Sequence, residues 1–394
     1  MICAKIYRRS GSSAGLCRPF GRSFVNMANV NSRYREEMDA KRIMQIREIS
    51  RELPQSCGDF LRSIAVTTST LTRLAYAIDL KTFFQFLHQE RVFFAQKDIP
   101  LLNDSDLGSL TISDLTAYTE YLTYYLKYEE DDPSAAERVL VNHDLAIKRK
   151  LCSVRSFYDF LFKNQRIGSN VTELVALPKI HEKPILRLSK AEMMKMLSTA
   201  QDGAEMSKGQ QRFQKITARR DFAMLSLFLG TGIRVSECVG INLDDVDMEN
   251  NAVLVTRKGG NQVVLYFPPE VADALAEYLE ERKQIEALPG HEEALFLSLQ
   301  RKRITQRAVQ MLVKKYAAIA APLKPRISPH KLRSTYATNL YHETGDIYLV
   351  ADVLGHTSVD TTRKHYADMT DARRRMAAEH VHLPGDPEFQ TGKT

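Results

Sequence analysis

The chain has 394 residues, of which 44% are hydrophobic and 26% charged, a composition ordinary for a globular protein and a length that suits two domains with separate cores. No stretch approaches the roughly 18 uninterrupted apolar residues of a transmembrane helix. Five scattered cysteines (Cys3, Cys17, Cys57, Cys152, Cys238) without a C-x-x-C pair point to reduced thiols in the cytoplasm, and exclude a disulfide framework and a structural zinc site. The formal net charge is +7, but Lys5, Arg8, Arg9, Arg18 and Arg22 place five of those charges, with no acid, in residues 1–26. The body is therefore almost neutral, and only local clusters can argue for nucleic acid.

Residues 1–26 form a basic leader with three readings: an organellar transit peptide, a disordered arm touching DNA phosphates, or sequence upstream of a start at Met27. From Gly58 to Asn164 the pattern is helical. Tyr76, Leu80, Phe83 and Leu87 recur at i, i+4, i+7 and i+11. Thr111-Ile112-Ser113-Asp114 opens a helix carrying Leu115, Tyr118 and Leu122 on one face. The acidic run Glu129-Glu130-Asp131-Asp132, followed by Pro133, reads as an exposed loop. A helix over about Asp144–Phe162 has an apolar stripe of Ile147, Leu151, Val154, Tyr158 and Leu161. Away from that stripe are assigned Lys148, Arg149, Lys150 and Arg155, as a basic face.

Two prolines and no helical period mark residues 178–188 as a linker between a helical domain at 27–177 and a second domain at 189–394. Ser189-Lys190-Ala191-Glu192 fits a capping box that starts the second domain. Phe222, Leu225 and Leu229 define a further helix stripe. Ala252–Thr256 and Gln262–Tyr266 are β-forming runs around Lys258-Gly259-Gly260-Asn261 and read as a hairpin. Helices are expected at about 269–285, 305–320, 330–343 and 346–354, with Gly345 stopping the third of these.

The chemistry gathers late in the chain. Gly232-Ile233-Arg234-Val235-Ser236-Glu237 offers one arginine, and Pro329-His330-Lys331-Leu332-Arg333 a histidine and an arginine three apart on one helix face. Leu354-Gly355-His356 adds an imidazole and Tyr366 a phenol. Taken singly each motif is weak: an exposed basic pair, a loop-to-helix junction, a helix cap. In this order and at this spacing they resemble the tyrosine recombinases, the phage-integrase and Xer family, over roughly residues 59–369. The Thr256-Arg257-Lys258-Gly259-Gly260 stretch is closest to Xer proteins that act as single recombinases.

That resemblance implies a mainly α fold with a small β-sheet, a two-domain clamp of a helical core-binding domain and a mixed α/β catalytic domain. It implies site-specific recombination through a 3′-phosphotyrosyl intermediate and a Holliday junction, for a mobile element or for chromosome-dimer resolution. Arg234 and Arg333 would bind the phosphate oxygens, with Glu237 orienting an arginine. Tyr366 would attack phosphorus with His330 as base, Lys258 would protonate the 5′ oxygen, and His356 would donate to a phosphate oxygen. Arg257 stands beside Lys258 as an alternative acid. The basic helix, whose Leu151–Leu161 wording is similar to the core-binding domain, would place Lys148, Arg149, Lys150 and Arg155 on DNA phosphates. Implied partners are double-stranded DNA sites, three further copies in a homotetramer spanning two sites, and accessory DNA-binding or division proteins. Residues Thr370–His380 would dock on a neighbouring copy.

Tyr366 follows His356 by ten residues, where the Xer pattern has nine and many transposon integrases ten. Neither a P-loop after Gly230-Thr231-Gly232 nor a histidine–carboxylate set with metal-ligand spacing is present, so no nucleotide, metal or other cofactor is expected. The competing readings are a metal-dependent transposase and a DNA-binding protein that has lost catalysis.

Overall fold

The computed structural model describes residues 30–127, 138–180, 186–257 and 260–355. The basic leader, the acidic loop, Lys258, and everything from His356 onward, including Tyr366 and Thr370–His380, lie outside the described residues. One compact unit is Tyr34–Ile185, and the residues from Leu186 onward belong to the other.

The first unit is built from α1 (Val30–Arg51), α2 (Gln55–Ser63), α3 (Thr70–Glu90), α4 (Val92–Ala95), α5 (Asp104–Gly108), α6 (Ile112–Thr123), the strands β1 (Tyr124–Lys127) and β2 (Arg138–Val141), and α7 (Asp144–Lys163). Local chemistry fixes the helix starts. Ser69 accepts from the Thr72 amide at 3.2 Å to open α3, and Thr111 with Asp114 makes a reciprocal capping box that opens α6. The periodic stripes then meet. Leu80, Phe83 and Leu87 of α3, Leu115, Tyr118 and Leu122 of α6, and Ile147, Leu151, Val154, Tyr158 and Leu161 of α7 are all buried in one cluster. Phe83 lies at its centre, edge-on to Tyr118 at 5.0 Å between ring centroids and to Tyr158 at 6.4 Å, an arrangement aromatic quadrupoles favour. Helix α1 and the β1–β2 hairpin were not expected. The hairpin pairs Tyr124 with Val141 and Lys127 with Arg138. Its runs are only four residues each, too short to impose a period on the sequence.

The second unit contains α8 (Lys190–Asp202), α9 (Lys208–Thr231), α10 (Val235–Gly240), β3 (Val246–Asp247), β4 (Ala252–Thr256), β5 (Gln262–Tyr266), α11 (Pro269–Lys283), α12 (Gln306–Ala320), α13 (Pro329–Thr344) and α14 (Ile347–Leu354). Ser189 and Glu192 form the expected capping box at α8. The expected β4–β5 hairpin is present with Thr256 opposite Gln262, and β3 extends it to a three-stranded antiparallel sheet in the order β3-β4-β5. Helix α9 corrects one expectation. It packs against α8, α11 and α13, so every residue from Ala223 to Phe228 is buried. Of the expected stripe only Leu225 is fully buried, with Phe222 and Leu229 half-buried, because a helix covered on several sides has no single apolar face.

Helix ends in this unit set the direction of the segments beside them. Gly345, left-handed at φ 70°, terminates α13, and Asp346 caps α14 by accepting from the amides of Tyr348 and Leu349. Ala337, Val350 and Leu354 then lock α14 onto α13 through a small buried cluster. At the start of the unit the Leu188 amide donates to Thr335 of α13 at 3.0 Å, and Lys324 bridges the Arg187 carbonyl and Glu192.

Candidate active site

Gly232 ends α9 in the left-handed region at φ 63°, and a Cβ there would come within 2.5 Å of the Tyr336 ring. Glycine is thus required both by the turn and by the closeness of α13. The turn leads through buried Ile233 to Arg234, the N-cap of α10. Glu237 reaches back one turn from a buried position, accepting from the Arg234 backbone amide at 3.0 Å and from its Nη1 at 2.8 Å. One carboxylate therefore caps the helix and aims the guanidinium. The Arg234 side chain remains 34% exposed.

Arg333 lies one turn into α13, where Pro329 at the first helical position sets the helix start. His330, in the first turn, is exposed, whereas Arg333 is enclosed at 6% exposure. Arg333 Nη1 donates to the Gly232 carbonyl at 2.7 Å, and Nη2 donates to the Leu354 carbonyl. Arg234 Nη2 approaches the next carbonyl, Gly355, at 3.4 Å. A third guanidinium joins them: Arg257, at the end of β4, donates from Nη2 to the Val353 carbonyl at 2.7 Å. Gly355 is left-handed at φ 61° and caps α14. A Cβ on it would collide with the Arg257 guanidinium.

The last three carbonyls of this helix end, at Val353, Leu354 and Gly355, thus each receive one arginine. Helix C-termini leave carbonyls without intrahelical partners and carry partial negative charge, so cations are favoured there. Neutral carbonyls orient the guanidiniums without cancelling their charge. Burial lowers the Arg257 pKa from its ordinary value; Glu237 opposes that shift and nearby Arg234 reinforces it. Burial likewise raises the Tyr336 hydroxyl, against the opposing pull of Arg333. Two or more correctly aimed guanidiniums in one partly buried place are what a phosphodiester requires of a site that stabilises a spread anionic charge.

Arg234, Arg333 and Glu237 are brought together as the motif order suggests. Lys258, His356 and Tyr366 lie outside the described residues; Lys258 directly follows Arg257, and His356 directly follows Gly355. Arg257 is the member that sequence reasoning passed over except as a substitute acid. Its signal was local: an arginine two residues before a Gly-Gly turn at a hairpin tip is free to reach beyond its own hairpin. Among the described residues, no three histidine, cysteine, aspartate or glutamate side chains are placed to hold a metal ion.

The basic helix α7 behaves differently from expectation. Lys150 is buried and its Nζ lies 3.1 Å from Asp79 of α3, a carboxylate with no exposure. Asp79 also accepts from Arg149 Nη2 at 2.8 Å and from Ser153 at 2.8 Å. Arg155 donates to the carbonyls of Thr172 and Val175, fastening the segment after α7 back onto the helix. Lys150 and Arg155 are accordingly structural within their unit. Lys150, three residues after Ile147 and four before Val154, lies on the apolar stripe and not, as expected, away from it. Lys148 is half-buried and Arg149 exposed.

Residues 187–373 match the model of the phage integrase family. A tyrosine recombinase XerC of Caldanaerobacter subterraneus subsp. tengcongensis is 34% identical over 332 residues, covering 82% of this chain and 86% of that protein. The chain belongs to the tyrosine recombinase family. A XerC of Thermodesulfovibrio yellowstonii is 29% identical over 67% of the recombinase and 91% of its own length. Two solved structures share the fold: the Tn1549 transposon integrase in complex with a circular intermediate DNA (TM-score 0.56, 19% identity, 82% of the recombinase and 99% of that chain), and XerH bound to a palindromic difH substrate (TM-score 0.55, 20% identity, 80% and 81%). The recombinase is a DNA-cleaving and religating enzyme of site-specific recombination, as the family is.

Proposed function

We propose that this recombinase exchanges DNA strands without metal or ATP, using Tyr366 as nucleophile. Convergence of Arg234 and Arg333 on adjacent carbonyls of the α14 end, immediately before His356, carries the proposal. It supplies two pre-aimed guanidiniums next to the segment that holds His356 and Tyr366. In the proposed reaction the Tyr366 phenol loses its proton to His330 and its oxygen bonds to phosphorus. The bond from phosphorus to the 5′ oxygen breaks, and Lys258 gives that oxygen a proton, leaving a 3′-phosphotyrosyl ester. Arg234 and Arg333 stabilise the non-bridging oxygens, His356 donates to one of them, and Glu237 keeps Arg234 in place. The reverse step, with a partner strand's 5′ hydroxyl as nucleophile, rejoins DNA; two rounds pass through a Holliday junction. The same reading takes the two units as a clamp on duplex DNA, four copies on two sites, with accessory DNA-binding or division proteins as further partners, in the cytoplasm.

The test is covalent capture. Wild-type protein given a nicked suicide substrate in excess EDTA is expected to accumulate a protein–DNA band that survives SDS, mapping to the Tyr366 peptide. Tyr366→Phe keeps the ring, so it should bind the same DNA and give no band. Cleavage lost in EDTA and restored by magnesium would replace this reading with a metal-dependent transposase. Binding with no adduct under any condition would replace it with a non-catalytic DNA-binding protein.

A further inference from the structure

We propose that Arg257 is a positioning residue for strand cleavage. It ties the β4–β5 hairpin to the C-terminal end of α14, and so holds the neighbouring Lys258 at the leaving-group oxygen. This rests on the cleavage reaction proposed above.

Three observations support it. First, the backbone of Arg257 closes the turn: its amide donates to the Asn261 carbonyl at 2.7 Å, and its carbonyl accepts from the Gly260 amide at 3.1 Å. Second, its side chain leaves the hairpin altogether and donates to the Val353 carbonyl, 96 residues away in sequence. Third, the guanidinium lies where a side chain on Gly355 would be, so the left-handed glycine that caps α14 is also the seat of this arginine. Arg257 is therefore fixed at both its backbone and its tip.

The hairpin is rooted at one end and open at the other. Ala252–Val255 of β4 are buried, whereas Gly260, Asn261 and Gln262 are exposed. Near the open end, the Arg257 side chain ties the hairpin to the α14 end. Lys258 is the residue that follows Arg257 in the chain. His356 is one peptide unit from Gly355. The contact of Arg257 with the α14 end thus couples the residues next to two proposed participants in the reaction. Proton transfer tolerates little misplacement: an error of about 1 Å costs on the order of 100-fold. Arginine suits the task better than lysine because its planar fork makes directional bonds and packs flat over a glycine.

The experiment uses a leaving group that needs no proton. As the phosphorus–oxygen bond breaks in ordinary DNA, the Lys258 ammonium gives its proton to the 5′ oxygen and becomes a neutral amine. A 5′-bridging phosphorothioate departs as a thiolate and needs no acid. Full-length wild type, Arg257→Ala, Arg257→Lys, Lys258→Ala and the double variant Arg257→Ala/Lys258→Ala are compared on both substrates, reading covalent adduct formation after mixing. DNA affinity and melting temperature are measured beside it, and Arg257→Lys serves if the alanine variant does not fold.

The expected result is a fall of about 10- to 100-fold on ordinary DNA for the Arg257 variants at unchanged DNA affinity. On the thio substrate they should return to within a few-fold of wild type. The double variant should be no slower than Lys258→Ala, since both act through one proton transfer. Failure of the thio substrate to rescue the Arg257 variants, while it rescues Lys258→Ala, overturns the proposal and makes Arg257 a phosphate-binding or purely structural residue. Rescue of Arg257→Ala with full activity in Lys258→Ala also overturns it, because Arg257 would then be the acid. Absence of an adduct from wild type on either substrate removes the cleavage reading, and this inference with it.

Discussion

The α14 end in the second unit and the α3–α7 contact in the first each gather basic side chains around a buried polar point, with opposite consequences. Around α14, Arg234, Arg257 and Arg333 grip neutral carbonyls, while Glu237 answers Arg234 with one carboxylate. Even with Asp352 also acting on Arg257, the neutral carbonyls leave the charges of Arg234 and Arg333 in place for a phosphate. Around α3 and α7, Lys150 and Arg149 grip a fully buried carboxylate, Asp79. That charge is largely answered inside the fold. Arginines aimed by carbonyls remain able to bind an anion; a lysine and an arginine matched by a buried carboxylate hold helices together. The chemistry of the partner, more than the number of cations, separates a candidate phosphate site from a structural clasp.

The largest effect expected from breaking this contrast is at Arg333. Arg333→Ala removes a charge aimed at the phosphate and deprives the Gly232 and Leu354 carbonyls of this donor. Adduct formation on a suicide substrate should fall by about 10²–10³-fold, the range for losing one aimed donor to a developing oxyanion. Arg333→Lys should recover little, since one ammonium cannot span both carbonyls in the geometry of the fork. A lysine variant within about tenfold of wild type would show that charge alone suffices and that the carbonyl clasp is incidental.

On the other side, Asp79→Ala should act on stability. It leaves Lys150 buried without its counter-charge, and removal of one partner from a buried ion pair costs about 3–5 kcal/mol; the low end applies here because Arg149 is half-exposed and can turn to water. Chemical denaturation should show the loss, while adduct formation per folded molecule stays near wild type. Unchanged stability would mean that Lys150 reaches solvent and that the clasp is weak.

These two sites also show how far the sequence could be read. Stripes with a helical period, capping boxes and the Gly-Gly-Asn hairpin were legible because each depends on neighbours within one or two turns. The α9 stripe failed because burial on all sides erases the period. Lys150 was misread although its own helix held the clue, being three residues from Ile147 and four from Val154. Asp79 has the same position in α3, three after Tyr76 and four before Phe83. Two opposite charges on apolar faces of two helices are the signature of a buried pair, yet their pairing, 71 residues apart, is a tertiary fact. The carbonyl clasp was wholly beyond reach, since its acceptors are backbone atoms that no residue name reports. Motif order located Arg234 and Arg333, and nothing in the letters placed Arg257 on Gly355.

A smaller effect should follow at Glu237. Glu237→Gln retains an oxygen to accept from the Arg234 amide or its guanidinium but removes the charge behind both bonds. A loss of about 1.5 kcal/mol in aiming Arg234, the lower value for a bond to a charged group, corresponds to about a tenfold slower adduct formation. DNA affinity should change less than the rate. The reverse pattern, weak binding with normal chemistry, would mean that Glu237 shapes the protein and does not direct the arginine.

The smallest effect sharpens the comparison most, because it separates cations on one helix. Lys148 is half-buried, next to an exposed Arg149 and two residues before the enclosed Lys150. If α7 presents any charge to DNA phosphates, Lys148 can do so and Lys150 cannot. Removing one lysine–phosphate pairing reduces the slope of log affinity against log salt by about 0.9. Lys148→Ala should therefore lower that slope by about one unit, weaken binding similarly for specific and unrelated DNA, and leave melting unchanged. Lys150→Met should do the opposite, shifting stability and leaving the slope alone. Equal slopes for wild type and both variants would remove α7 from the DNA interface. A reduced slope in Lys150→Met would mean that the Asp79 clasp opens on DNA, and would return Lys150 to the phosphate face from which its burial excludes it.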